Sequence, residues 1–127
     1  MSKPLKISLI ILAIVVACLG ALVIEAQIKF VRRAYDNFVL DNKNHYLPCD
    51  KLPTEAEVTR VVKEHWEVIQ SLEQVNPGFV GVEVDTAVCP GKADLLIWYA
   101  SHQDRVAIES IIGGNTFLGL PFRLQNR

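Results

Sequence analysis

The chain has 127 residues with a formal net charge of −1 and a sequence pI near 6.3, so it lacks the basic excess by which a nucleic-acid-binding surface announces itself. Half of its residues are hydrophobic and its mean hydropathy is +0.24, a value carried by the N-terminal segment. What remains outside that segment is enough for one modest domain and too little for two.

A short tail, residues 1–6, precedes the strongest signal in the sequence. From Ile7 to Ile24 the chain reads ISLIILAIVVACLGALVI, 18 residues without a charge, bracketed by Lys6 and Glu25. As a helix this run is about 27 Å long, close to the ~30 Å hydrocarbon core of a bilayer. Residues 7–24 are therefore expected to be a single transmembrane anchor and the membrane an integral partner. The run is longer than the h-region of an ordinary cleaved signal, which favours an uncleaved signal anchor. A competing reading is a lipoprotein signal, because Val15-Val16-Ala17-Cys18 follows the basic Lys3 and Lys6; the apolar stretch after Cys18 argues against it.

Positive charges do not orient the anchor, since Lys3 and Lys6 on one flank nearly balance Lys29, Arg32 and Arg33 on the other. A lysine-flanked apolar start resembles an export signal, which places the domain outside the cytoplasm. Cysteine usage agrees, because the rest of the chain holds two, Cys49 and Cys89, each in a loop with proline or glycine. A bridge between them in an oxidising compartment is worth about 3–4 kcal/mol in the chain-entropy picture. The alternative is two separate thiols in a reducing compartment; zinc is disfavoured, since neither cysteine has a CxxC partner or a histidine at ligand spacing.

Past the anchor, Ile28, Val31, Tyr35, Phe38 and Val39 recur at helical spacing and predict an amphipathic helix over residues 25–41. Residues 42–53, rich in turn formers and containing Pro48 and Pro53, read as a linker. The domain proper is expected over residues 54–127. Thr54 and Glu57 form a capping-box pattern that opens one helix of about twenty residues, ended by Asn76-Pro77-Gly78. Val80, Val82 and Val84 alternate with polar residues as in a half-buried strand, and a second strand over residues 93–99 completes a hairpin through Cys89-Pro90-Gly91. Ser101 and Asp104 cap a short helix that Gly113-Gly114 ends. A last strand over residues 117–124 alternates Leu118, Leu120, Phe122 and Leu124, with Pro121 marking it as an edge.

The order αββαβ predicts an α+β fold, a mostly antiparallel three-stranded sheet with both helices on one face. In topology alone this resembles a truncated ferredoxin-like arrangement whose first strand is missing or supplied by residues 44–47. The layout of membrane helix, helical rod and truncated domain is also similar to that of envelope scaffold proteins. Fold likeness of this kind implies no activity.

Signatures for nucleotide, hydrolase or zinc-protease sites (P-loop, GxGxxG, GxSxG, HExxH) are absent, so no catalytic, cofactor-binding or metal-binding residue is assigned and no cofactor is expected. Of the three histidines, His65 falls on the apolar stripe of the first domain helix, His102 at a helix start and His45 in the linker. Glu83, Asp85 and Asp94 are expected on a solvated sheet face or paired with Arg123 across it. Alternation places Leu96 and Trp98, with Phe79, on the open face of the sheet, either as an apolar binding surface or as a seat for Tyr35 and Phe38. Two functions are compatible with these features. The first is a membrane-anchored, non-enzymatic interaction or assembly module that uses Phe79, Leu96, Trp98 or the Pro121 strand to bind another envelope protein or a second copy of itself. The second is a small membrane-tethered ligand-binding or enzymatic domain with a polar site near His102, Asp104 and Glu83.

Overall fold

In the computed structural model, residues 3–127 are described; Met1 and Ser2, the start of the expected tail, lie outside the described residues. The sequence folds into an α+β architecture behind an N-terminal apolar helix. Helix α1, Lys3–Phe38, is continuous over 36 residues, about 54 Å at the usual rise. Pro4 is accommodated in its first turn, where no intrahelical N–H bond is lost. Its most apolar 18-residue window has a mean hydropathy of 3.2 and is buried nowhere, so α1 is long and apolar enough to cross a membrane. Among the described residues, helical structure thus already includes Lys3 to Lys6 of the expected tail. It stops at Phe38, three residues short of Asp41, which turns the chain with φ +53°.

The chain divides into two compact units that part after Tyr35. The first consists of α1 up to that residue. The second, Asp36–Arg127, begins with the last turn of α1 and contains α2 (Glu55–Glu64), α3 (Trp66–Glu73), β1 (Val80–Asp85), β2 (Asp94–Tyr99), α4 (His102–Ile112) and β3 (Phe122–Asn126). Thr54 caps α2, its hydroxyl accepting from the Glu57 N–H. Ser101 and Asp104 form a full reciprocal capping box on α4, which ends at Gly113 in the left-handed conformation.

The expected single helix after Thr54 is two helices, interrupted at His65, where φ −117° and ψ 32° leave helical geometry. No glycine or proline marks the break. His65 bridges the ends instead, its N–H donating to Val61 while its carbonyl accepts from Val68 and Ile69. The histidine itself is exposed and does not sit at the core boundary.

Strand order in the sheet is β1-β2-β3, with β1 antiparallel and β3 parallel to the central β2. All three domain helices pack on one face, because Val58, Ile69, Leu72 and Ile108 share a core with Leu95, Ile97 and Tyr99 of β2 and with Phe122 and Leu124 of β3. Burying these side chains is the main stabilising term.

The last strand is shorter than expected. Phe117 and Leu120 close a tight turn on each other, with Leu118 at φ +55° and Gly119 at φ +76°, and pairing with β2 starts at Phe122. Pro121 lies before the strand, where its missing N–H costs nothing and its carbonyl accepts from the Leu95 N–H. The outer edge of β3 is partly occupied, since Lys43 exchanges two backbone hydrogen bonds with Leu124 and the Asn126 N–H donates to the Asn42 side chain. The other edge of the sheet belongs to β1, and no strand pairs with its outer side among the described residues.

Cys49 and Cys89 are joined by a disulfide that ties the 3-10 turn Cys49–Lys51 to the loop between β1 and β2. Backbone bonds from Glu55 to Gly91 and from Ala93 to Pro53 run beside it. Residues 42–53 are therefore bonded to the sheet along much of their length.

Candidate functional site

Two clusters of charged side chains stand out, on opposite faces of the sheet. The first lies on the face away from the helices and grows from the antiparallel register. Asp85 and Asp94 are direct cross-strand partners, a like-charge pair that is unfavourable alone. Arg123 resolves it from β3. Its Nε and one terminal nitrogen hold the two Asp94 oxygens at 2.6 and 3.0 Å, and the same terminal nitrogen reaches Asp85. Burial pushes the Asp94 carboxyl up, but hydrogen bonds from His45 and Arg123, with the Arg123 charge, outweigh it and hold Asp94 below the ordinary aspartate range. Arg123 is stabilised in its charged form by the same contacts.

His45 completes this cluster from residues 42–53. Its Nδ1 accepts from the Leu47 N–H at 2.9 Å, which leaves Nε2 to donate to Asp94 at 2.6 Å. The backbone bond thereby selects the tautomer. Asp94, expected on a solvated face or paired with Arg123 across the sheet, has the Arg123 pairing and is 4% exposed because His45 and Arg123 cover it.

Further along the same face, Trp98 is paired across the strands with Gly81 and lies flat on it: a Cβ at Gly81 would sit 2.3 Å from the indole ring. The indole N–H donates to Glu83 at 2.9 Å, and the Arg127 guanidinium stands 5.8 Å from the ring centre. Leu96, between Glu83 and Arg123 in register, is buried. Of the three residues expected to form an open apolar patch, only Phe79 is largely exposed, at 59%. Phe38 is exposed as well and is not seated on this face.

The second cluster surrounds Arg105, buried at the start of α4. One terminal nitrogen donates to the Asn37 carbonyl and to Asp41, the other to the Asn37 side chain. A cation thus meets a carbonyl at the C-terminal end of α1, where the helix dipole favours it. Asp41 also accepts from His102 Nδ1 at 2.8 Å, and its carbonyl accepts from the Tyr99 hydroxyl. Burial pushes the Asp41 carboxyl up, yet the His102 and Arg105 hydrogen bonds together win and lower it. For Tyr99, burial and then the Asp41 charge push the hydroxyl well above the usual phenol range.

The polar residues considered for a site near His102 fall into three separate networks. His102, largely exposed, belongs to Asp41; Asp104 is buried in the capping box with Ser101 and holds Asn76 through both oxygens at 3.2 Å; Glu83 belongs to Trp98 and Arg127. Sequence reasoning alone misses His45 and Arg105. Neither carries a local signal: Arg105 follows the polar run Ser101-His102-Gln103-Asp104 and reads as an ordinary residue of a helix start, and nothing local links His45 to Asp94, 49 residues away.

Among the described residues no group of three or more His, Cys, Asp or Glu side chains is arranged to hold a metal ion. Comparison with known proteins finds no matching family, no matching curated protein and no matching solved structure. The class the fold defines is an α+β domain behind an apolar helix.

Proposed function

We propose that this chain is a membrane-anchored, non-enzymatic interaction or assembly module whose disulfide-bonded domain lies on the extracytoplasmic side. The observation that carries the reading is the presence in one chain of a helix of spanning length and a Cys49–Cys89 bridge, a bond that persists in oxidising compartments. Two further features support it. Arg105, Arg123, Asp41, Asp94 and Asp104 are engaged with one another or with caps, so their charge is directed inward to structure. The unpaired outer side of β1 is an edge at which an extended partner segment could add a strand, whereas β3 is already bridged by Lys43. Cys18 lies inside the continuous helix α1, consistent with an uncleaved signal anchor and a small apolar role.

Accessibility of Cys49 and Cys89 to a membrane-impermeant thiol reagent on intact cells, in a Cys18→Ser background, tests this placement. Labelling that requires prior reduction but not membrane opening is the expected result. Labelling that requires membrane opening and no reductant would place the domain in a reducing interior and overturn the proposal.

A further inference from the structure

We infer that the chain pairs with a second copy of itself along one seam of α1, in parallel; this rests on the membrane-anchored reading above. The seam follows a seven-residue repeat. One set of positions, spaced by seven, is Ile7, Ile14, Ala21, Ile28 and Tyr35; the other, offset by three, is Ile10, Ala17, Ile24 and Val31. Every one is apolar. Within residues 7–24 this is unremarkable because the whole segment is apolar, and the information lies in the residues beyond it. Past Ile24 the charges Glu25, Lys29, Arg32 and Arg33 all avoid the repeat, while Ile28, Val31 and Tyr35 hold it, and Phe38 occupies the next place in the sequence. A strict seven-residue repeat is the pattern of helices that wind around each other with a left-handed supercoil.

Three arguments select a second copy as the occupant. The first is area. The seven large seam residues up to Tyr35 are each exposed over more than half their surface. At about 100 Å² apiece they offer a contact seam of ~700 Å² per copy, about the size of one side of a stable interface, of which the ~300 Å² of Ile28, Val31 and Tyr35 lies beyond the hydrocarbon and is removed from water. Charge is the second. In a parallel pair the flanking positions that face each other are Gln27 with Arg32 and Gly20 with Glu25, so no like charges are opposed. Glu25 is instead engaged within its own helix by Lys29 at 2.8 Å. Third, copies inserted by the same signal enter the membrane in the same direction, which makes the parallel register the one available. Within the hydrocarbon, where apolar burial gives no drive, Ala17 and Ala21 let two backbones approach closely. Beyond it, Ile28, Val31 and Tyr35 leave water on pairing.

Cysteine scanning of the full chain in native membranes tests the seam. In a Cys18→Ser background, single cysteines are placed from Ala26 to Arg33, oxidised with copper phenanthroline, and the dimer is read on non-reducing gels. Ile28→Cys and Val31→Cys are expected to give dimer several-fold above Lys29→Cys and Arg33→Cys. Absence of dimer at every position, uniform dimer at all of them, or a maximum on the Lys29 and Arg33 face would overturn the inference. Alkaline carbonate washing of the same membranes separates the two failures. Chain retained without seam crosslinks removes only the pairing, whereas chain released by the wash removes the anchored reading too.

Discussion

Two arginines, the half-buried Arg123 and the buried Arg105, do similar chemistry in different surroundings. Arg123 meets Asp85 and Asp94, which the strand register has already placed side by side, so it neutralises a conflict that the sheet creates. Arg105 meets Asn37 and Asp41, which local structure does not bring to α4, so it recruits a distant segment. Satisfaction differs too. Arg123 presents a bidentate fork to Asp94, while the Nε of Arg105 is buried without a partner. One arginine belongs to the integrity of the sheet and the other to the attachment of residues 36–42.

Substitutions can break this contrast. The largest effect is expected from Arg123→Ala, which leaves two carboxylates facing each other and should cost about 3–5 kcal/mol. Urea unfolding of the full chain in detergent measures it, and adding Asp85→Asn should restore part of the loss. Arg105→Ala should cost about 1–3 kcal/mol globally, the range for a buried polar group losing its partners. Its signature is local: amide exchange should accelerate at Asn42 and Lys43 well before the β1 and β2 amides respond. Equal acceleration everywhere would mean that the two arginines are not distinct in role.

Gly81→Val sharpens the description of the outer face, because its side chain must lift Trp98 off the sheet. A loss of about 1–3 kcal/mol is expected, with red-shifted Trp98 emission in a Trp66→Phe background. The smallest effect is acid dependence. Asp94 and Asp41 are held below their ordinary values in the folded state, so their stabilisation is fully present above about pH 4 and fades as pH falls through the lowered values. Asp94→Asn should flatten the decline in urea midpoint between about pH 4 and 2; an unchanged slope would assign it to other carboxylates.

Much of the fold was legible because it is encoded locally. The apolar run, the Thr54 and Ser101 caps, the Gly113 stop and the period-two valines of β1 each carry their own signal within a few residues. The Cys49–Cys89 pairing followed from cysteine count. Three features were not legible. The break at His65 lacks a glycine or proline. The turn at Leu118-Gly119 interrupts an alternation that reads as strand. The burial of Asp94 depends on His45, which arrives from a segment whose turn-forming residues suggest a linker. For Asp94 tertiary bonding overrides the local pattern, whereas the His65 break and the Leu118-Gly119 turn are closed by backbone bonds within a few residues that the hydrophobic periodicity does not announce; alternation, which correctly assigned Trp98 to the outer face, could not reveal that Gly81 provides a bed for its ring.

The two-bond exchange between Lys43 and Leu124 joins residues far apart in the sequence. Contacts of such separation carry a large closure entropy and are rewarded late, after the β1–β2 hairpin has formed from neighbours in sequence. Order of assembly is thereby written into the topology: the hairpin is expected to nucleate, β3 to dock beside β2, and residues 42–43 to clasp the far edge last. Substitutions at the clasp should then accelerate unfolding while leaving the refolding rate nearly unchanged, whereas substitutions in the hairpin should slow refolding.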